Sequence, residues 1–306
     1  MYVSSSARPI NPSYGKFRRS LQRHPLVYYF LMAYAFSWLG WLPYILSLDG
    51  LGLLPVHLTQ LGTLPGAYLG PLLSGFLMTG VTEGKAGLRR LLRRFVLWRV
   101  GWQWYPLILL GVPAILFLGF LTQSGSRAAL HNPFPQFVLF FPLLLILEIV
   151  TSGLAEEPGW RGFALPRLQS RYGPLVGTLM LGLLWGGWHL PLFLTAWGGG
   201  ASGPGICEFI LGIVSTAIII TWVFNHTRGS LLMTILLHAT VDTFGSAAAA
   251  TGLFSLSWMQ QIENLALLIG FGVVALLLIV VTRGRLGYRQ EPSPSGTTVT
   301  LDRDKI

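Results

Sequence analysis

Charge is scarce in this sequence: Asp, Glu, Lys and Arg together make up 10% of its 306 residues, against about a quarter in soluble domains. That leaves too little polar surface to coat a water-soluble globule of this size, so a soluble enzyme or carrier is excluded. Acidic residues are scarcer than basic ones, 11 against 21. Cysteine is reduced to Cys207 alone, which excludes an internal disulfide framework and any Cys-rich metal site. Also missing are the Gly-x-Ser-x-Gly elbow of serine hydrolases and the His-Glu-x-x-His helix of zinc proteases.

Apolar sequence fills the space that charge leaves. Hydrophobic residues reach 52% and the mean hydropathy is +0.60, the composition of a chain dissolved in lipid. A helix needs roughly 20 apolar residues to cross a bilayer. With that ruler eight segments emerge, at 26–48, 61–81, 103–122, 134–155, 174–196, 206–225, 230–252 and 263–282. The predicted fold is therefore all-α, a polytopic membrane helix bundle of about eight spans. It divides into a basic tail (1–25), one transmembrane domain (26–282, with a motif core at 148–245) and a polar tail (283–306) whose Pro/Ser/Thr-rich end reads as disordered. The first segment is kept as a helix rather than a cleaved signal: a basic lead of 25 residues precedes it, and Ala33-Tyr34-Ala35 falls in mid-run.

The net charge of +10 raises the question of a nucleic-acid partner, and its distribution answers it. With the N-terminus in the cytoplasm, 20 of the 21 Lys and Arg residues fall on the inner side and only Arg127 outside. That is the positive-inside rule, so both termini are expected in the cytoplasm, the chain in the cell membrane, and no nucleic acid is bound. Gly62, Gly66, Gly70 and Ser74 recur every four positions, as do Gly182 and Gly186, stripes that let helices approach closely in lipid.

Ionisable side chains at membrane depth are costly and by default mark function. Those left after the loops and tails are set aside are Glu148, Glu156, Glu157, His189, His238 and Asp242. Glu148, Ser152 and Glu156 are spaced by four, one face of a continuous helix. Glu157 and Arg161 have the favourable i,i+4 order for an ion pair, with Pro158 between them threatening a kink. Thr234, His238 and Asp242 form a second stripe, where the carboxylate would orient the imidazole. His189 lies three residues beyond Gly186 on a third helix, and a break is expected near Pro191. Three such stripes should converge on one cavity rather than face lipid. A helix cap at Glu156 and Glu157, or an ordinary helix-to-helix hydrogen bond at His189, would use the same residues.

These residues also resemble the motifs of the CPBP family of intramembrane proteases, which includes CAAX prenyl endopeptidases and bacteriocin-processing or immunity proteins. The correspondence runs through Glu156-Glu157-Pro158-Gly159-Trp160-Arg161, then Trp185-Gly186-Gly187-Trp188-His189, then His238-Ala239-Thr240-Val241-Asp242, in that order. It covers about Glu148 to Gly245, with Trp185 where Phe is usual and Asp242 where Asn is usual. The flanking sequence resembles bacterial members. The resemblance implies hydrolysis of a peptide bond in a membrane-associated peptide or protein near the cytoplasmic face. In one version Glu156 is the general base, His189 holds the attacking water, His238 and Asp242 stabilise the oxyanion, and Glu157 with Arg161 fixes the helix end. In the other, Glu156, His189 and His238 hold Zn²⁺. Asp242 in place of Asn puts the oxyanion role in question. Two other classes compete: a proton-coupled transporter, which also uses intramembrane carboxylates but commonly carries repeats absent here, and a noncatalytic scaffold or immunity protein. The residues alone leave the metal, the substrate and the oligomeric state open.

Overall fold

The computed structural model describes residues 12–131 and 134–289, and among them the chain is helical with no β-strand. Helix α1 (Pro12–Arg23) leads into eight helices long and apolar enough to cross a membrane. These are α2 (Pro25–Leu46), α3 (Gln60–Phe95), α4 (Trp104–Leu121), α5 (Pro135–Tyr172), α6 (Pro174–Leu194), α7 (Gly203–His226), α8 (Leu231–Thr251) and α9 (Leu256–Thr282). The number and order are those expected from segment length.

Two boundaries differ from the expected ones. Helix α3 runs to Phe95 rather than ending near 81, and α5 runs to Tyr172 rather than 155, so most of two expected basic loops is helix. The cause is amphipathicity. Leu88, Leu91, Leu92 and Phe95 keep a helical spacing between Arg89, Arg90, Arg93 and Arg94, and Leu91 is buried. An apolar window ends where such charges begin, whereas a helix needs only one apolar face. In the extension of α5, Trp160, Phe163, Leu165 and Leu168 are buried while Arg171 is exposed. Helix α3 bends at Gly84, whose φ of 64° is outside the helical region. The basic lead likewise contains α1, anchored by buried Leu21 and by Gln22 Nε2 donating to the Val81 carbonyl at 3.0 Å. After α9, Leu286 is buried and accepts a hydrogen bond from Asn225 Nδ2 at 2.9 Å. The disorder expected at the end of the chain falls on residues 290–306, outside the described residues, as do residues 1–11.

Close approach is bought by small residues. At Gly66 a Cβ would stand 2.3 Å from Trp41 Nε1, and at Gly75 it would stand 2.9 Å from Gly159 Cα. Any larger side chain would push α3 away from α2 and from α5. Glycine therefore lets the middle of α5 sink into the bundle, where α8, the most buried span, packs against it. Helix α5 is irregular there: π-type turns at Ile149–Gly153 and Trp160–Ala164 flank an α-helical piece, Leu154–Gly159. The helix passes through Pro158 without stopping, and π turns of this kind recur at functional sites.

Candidate active site

The centre of the polar cluster is Glu157. Its side chain is fully buried, and Oε1 accepts from Arg161 Nη1 at 2.7 Å and from His238 Nδ1 at 2.9 Å. The ion pair with Arg161 has the i,i+4 order expected and survives Pro158 because the chain stays helical through it. The link to His238, 81 residues away, joins α5 to α8. Arg161 is also fully buried, its guanidinium carbon 4.3 Å from the centre of the Trp185 indole. Charges taken this far from water stand only when paired and hydrogen-bonded.

Glu156 points elsewhere. Its Oε2 accepts two indole N–H bonds, from Trp185 at 2.6 Å and from Trp160 at 3.1 Å. No group among the described residues donates to Oε1, and Glu156 keeps 6% exposure. One carboxylate oxygen is thus fixed and the other is free. Neither indole was foreseen as a donor from sequence. Trp160 had a readable signal, since it follows Glu156 by four residues on the same face, whereas Trp185 reads only as an aromatic wall. Phe at 185 would fill the wall without supplying the bond. Trp185→Phe is accordingly expected to lower stability by about 1.5–3 kcal/mol, the usual contribution of a hydrogen bond to a charged group, seen as a lower thermal midpoint in detergent.

His189 is the residue that ends the α-helical part of α6, which continues as a 3-10 turn at Leu190–Leu194, so the expected break comes just before Pro191. His189 Nδ1 lies 2.9 Å from the Trp185 carbonyl. The bond needs the hydrogen on Nδ1, which leaves Nε2 as an acceptor. The ring stacks on Trp197 at 5.5 Å and meets Trp188 and Phe209 edge-on. It lies within electrostatic reach of Glu156 and His238. His238 in turn packs edge-on against Trp185 at 5.1 Å. Its Nε2 stands 3.5 Å from Asp242 Oδ2, so both ring nitrogens face carboxylates.

Helices α5, α6 and α8 therefore bring Glu156, Glu157, Arg161, His189, His238 and Asp242 into one cluster. The expected stripe of Glu148, Ser152 and Glu156 runs through a π turn at Ile149–Gly153, and all three lie about Asp242. Glu148 accepts from Ser246 Oγ at 2.8 Å and Thr151 Oγ1 at 3.1 Å. As for zinc, Glu156 Oε2 is taken up by two indoles and both nitrogens of His238 by carboxylates. Among the described residues no three His, Cys, Asp or Glu side chains group as a metal-ligand set, so Glu156, His189 and His238 do not fit that ion as they are arranged.

Comparison with known proteins finds similarity over the stretch that contains this cluster. Residues 138–244 match the family described as type II CAAX prenyl endopeptidase Rce1-like. The chain is 26% identical over 212 residues to CAAX prenyl protease 2 of Methanococcus maripaludis, an alignment covering 61% of this chain and 75% of that protein. The stretch matched contains the paired glutamates, both histidines and Asp242, so over the residues that form the cluster the chain is similar to the CPBP/CAAX proteases.

Proposed function

We propose that this chain hydrolyses a peptide bond in a membrane-associated peptide or protein, with Glu156 as general base, at the cytoplasmic face where the basic residues gather. The observation that carries the reading is the asymmetry of the Glu156 carboxylate: two indole N–H groups bind Oε2, and no group among the described residues donates to Oε1. A carboxylate held in one orientation, in a largely dry site, can take a proton from water aligned on its free oxygen. His189 Nε2, the acceptor nitrogen, orients that water. As the water attacks the scissile carbonyl, its proton passes to Glu156 and is later delivered to the departing amine. The oxyanion that forms is met by the Nε2–H of His238, which leaves its longer 3.5 Å contact with Asp242 while Glu157 holds the ring at Nδ1. Arg161 neutralises Glu157 and so holds that scaffold together. The name of the Methanococcus relative points to prenylated substrates, and we extend that substrate class to this chain as one arm of the test.

The test uses detergent-purified protein and quenched-fluorescent peptides carrying a membrane anchor, with and without a prenylated cysteine, before and after chelation. The expected result is cleavage of anchored peptides that persists after chelation. Activity lost on chelation and restored by zinc would overturn the metal-free chemistry. Cleavage of neither anchored peptide would favour a noncatalytic scaffold.

A further inference from the structure

Tyr29, on α2, is fully buried, and no group among the described residues hydrogen-bonds its hydroxyl. A buried tyrosine hydroxyl ordinarily finds a partner, and phenylalanine would fill the same space without the unpaired oxygen. The ring is clamped from several sides. It meets Trp160 edge-on with centroids 5.7 Å apart and lies 5.0 Å from Phe163. The hydroxyl itself is directed at Gly159, where a Cβ would come within 2.5 Å of its oxygen. Glycine at 159 is what gives the hydroxyl room.

Gly159 follows Glu156 by three residues in the α-helical piece Leu154–Gly159, so the two share one face. Trp160, which packs on Tyr29, is also a donor to Glu156. The hydroxyl is within electrostatic reach of Glu156, Glu157 and Arg161. We propose that Tyr29 is a positioning residue for Glu156, its unpaired hydroxyl dipole aimed at the helical turn that carries that carboxylate. This rests on the catalytic reading of Glu156 given above. In a site this dry the dipole would steady the carboxylate with its free oxygen toward the attacking water. Tyr29 lies outside residues 138–244, so the family match assigns it nothing.

Tyr29→Phe and Glu156→Gln are compared with wild type on an anchored quenched-fluorescent peptide, with thermal midpoints taken in the same detergent. Tyr29→Phe is expected to lose about 10- to 100-fold in kcat, the range for residues that orient a reacting group, with KM unchanged and a thermal midpoint equal to wild type or higher. Wild-type kcat in Tyr29→Phe beside an inactive Glu156→Gln overturns the proposal alone. A lower midpoint accompanying the activity loss also overturns it, because the hydroxyl then serves the fold. Full activity in Glu156→Gln overturns the catalytic reading on which the proposal rests.

Discussion

Arg161→Ala is expected to destabilise the folded protein by about 3–5 kcal/mol, the cost of breaking a buried ion pair by removing one partner. Both Arg161 and Glu157 have no exposed side-chain surface, so no water can solvate the carboxylate left behind. His238 still donates to the same oxygen, which softens the loss without removing it. Glu157 Oε2 already has no hydrogen-bond partner among the described residues, so the site has little capacity to absorb another unpaired lone pair. The packing of the guanidinium on Trp185 is lost as well. Arg161→Lys should recover only part of the stability, since a flexible ammonium can restore the single bond to Glu157 but not the planar contact with the indole. The measurement is the thermal midpoint in detergent together with the yield of folded protein. An unchanged midpoint in Arg161→Ala would mean that the buried pair is not what holds α5 at this depth.

Much of this arrangement was legible in the sequence. Eight apolar runs, the i,i+4 spacing of Glu157 and Arg161, the spacing of His238 and Asp242, and the break beside Pro191 are local patterns, and local patterns are what a sequence displays. The helical extensions of α3 and α5 were missed because arginines interrupt an apolar count without interrupting an amphipathic face. The π turn at Ile149–Gly153 was missed because nothing in Ile149-Val150-Thr151-Ser152-Gly153 announces it. The bond from His238 to Glu157 spans 81 residues and arises from α8 packing on α5. The indole bonds to Glu156 were hidden for another reason: tryptophan in a membrane helix is read first as bulk, and its one N–H goes unnoticed until an acceptor stands opposite. Tyr29 is the extreme case, a residue in a segment with no motif, brought to the cluster only by the glycines that seat α2, α3 and α5 together.

The largest effect on activity is expected from an isosteric change. Glu156→Gln keeps the side-chain volume and a carbonyl oxygen able to accept the bonds from Trp160 and Trp185, while removing the base. A positioned general base contributes typically 10²–10⁴-fold to rate, so the variant should fold like wild type and lose about that much in kcat. The most direct measurement is therefore the cleavage rate of one anchored quenched-fluorescent peptide by wild type and by Glu156→Gln, both metal-depleted and both shown to have the same thermal midpoint. Cleavage by wild type and a rate at least about 10²-fold lower in the variant is the predicted result. Equal rates in the two proteins would contradict the assignment of Glu156 as the base.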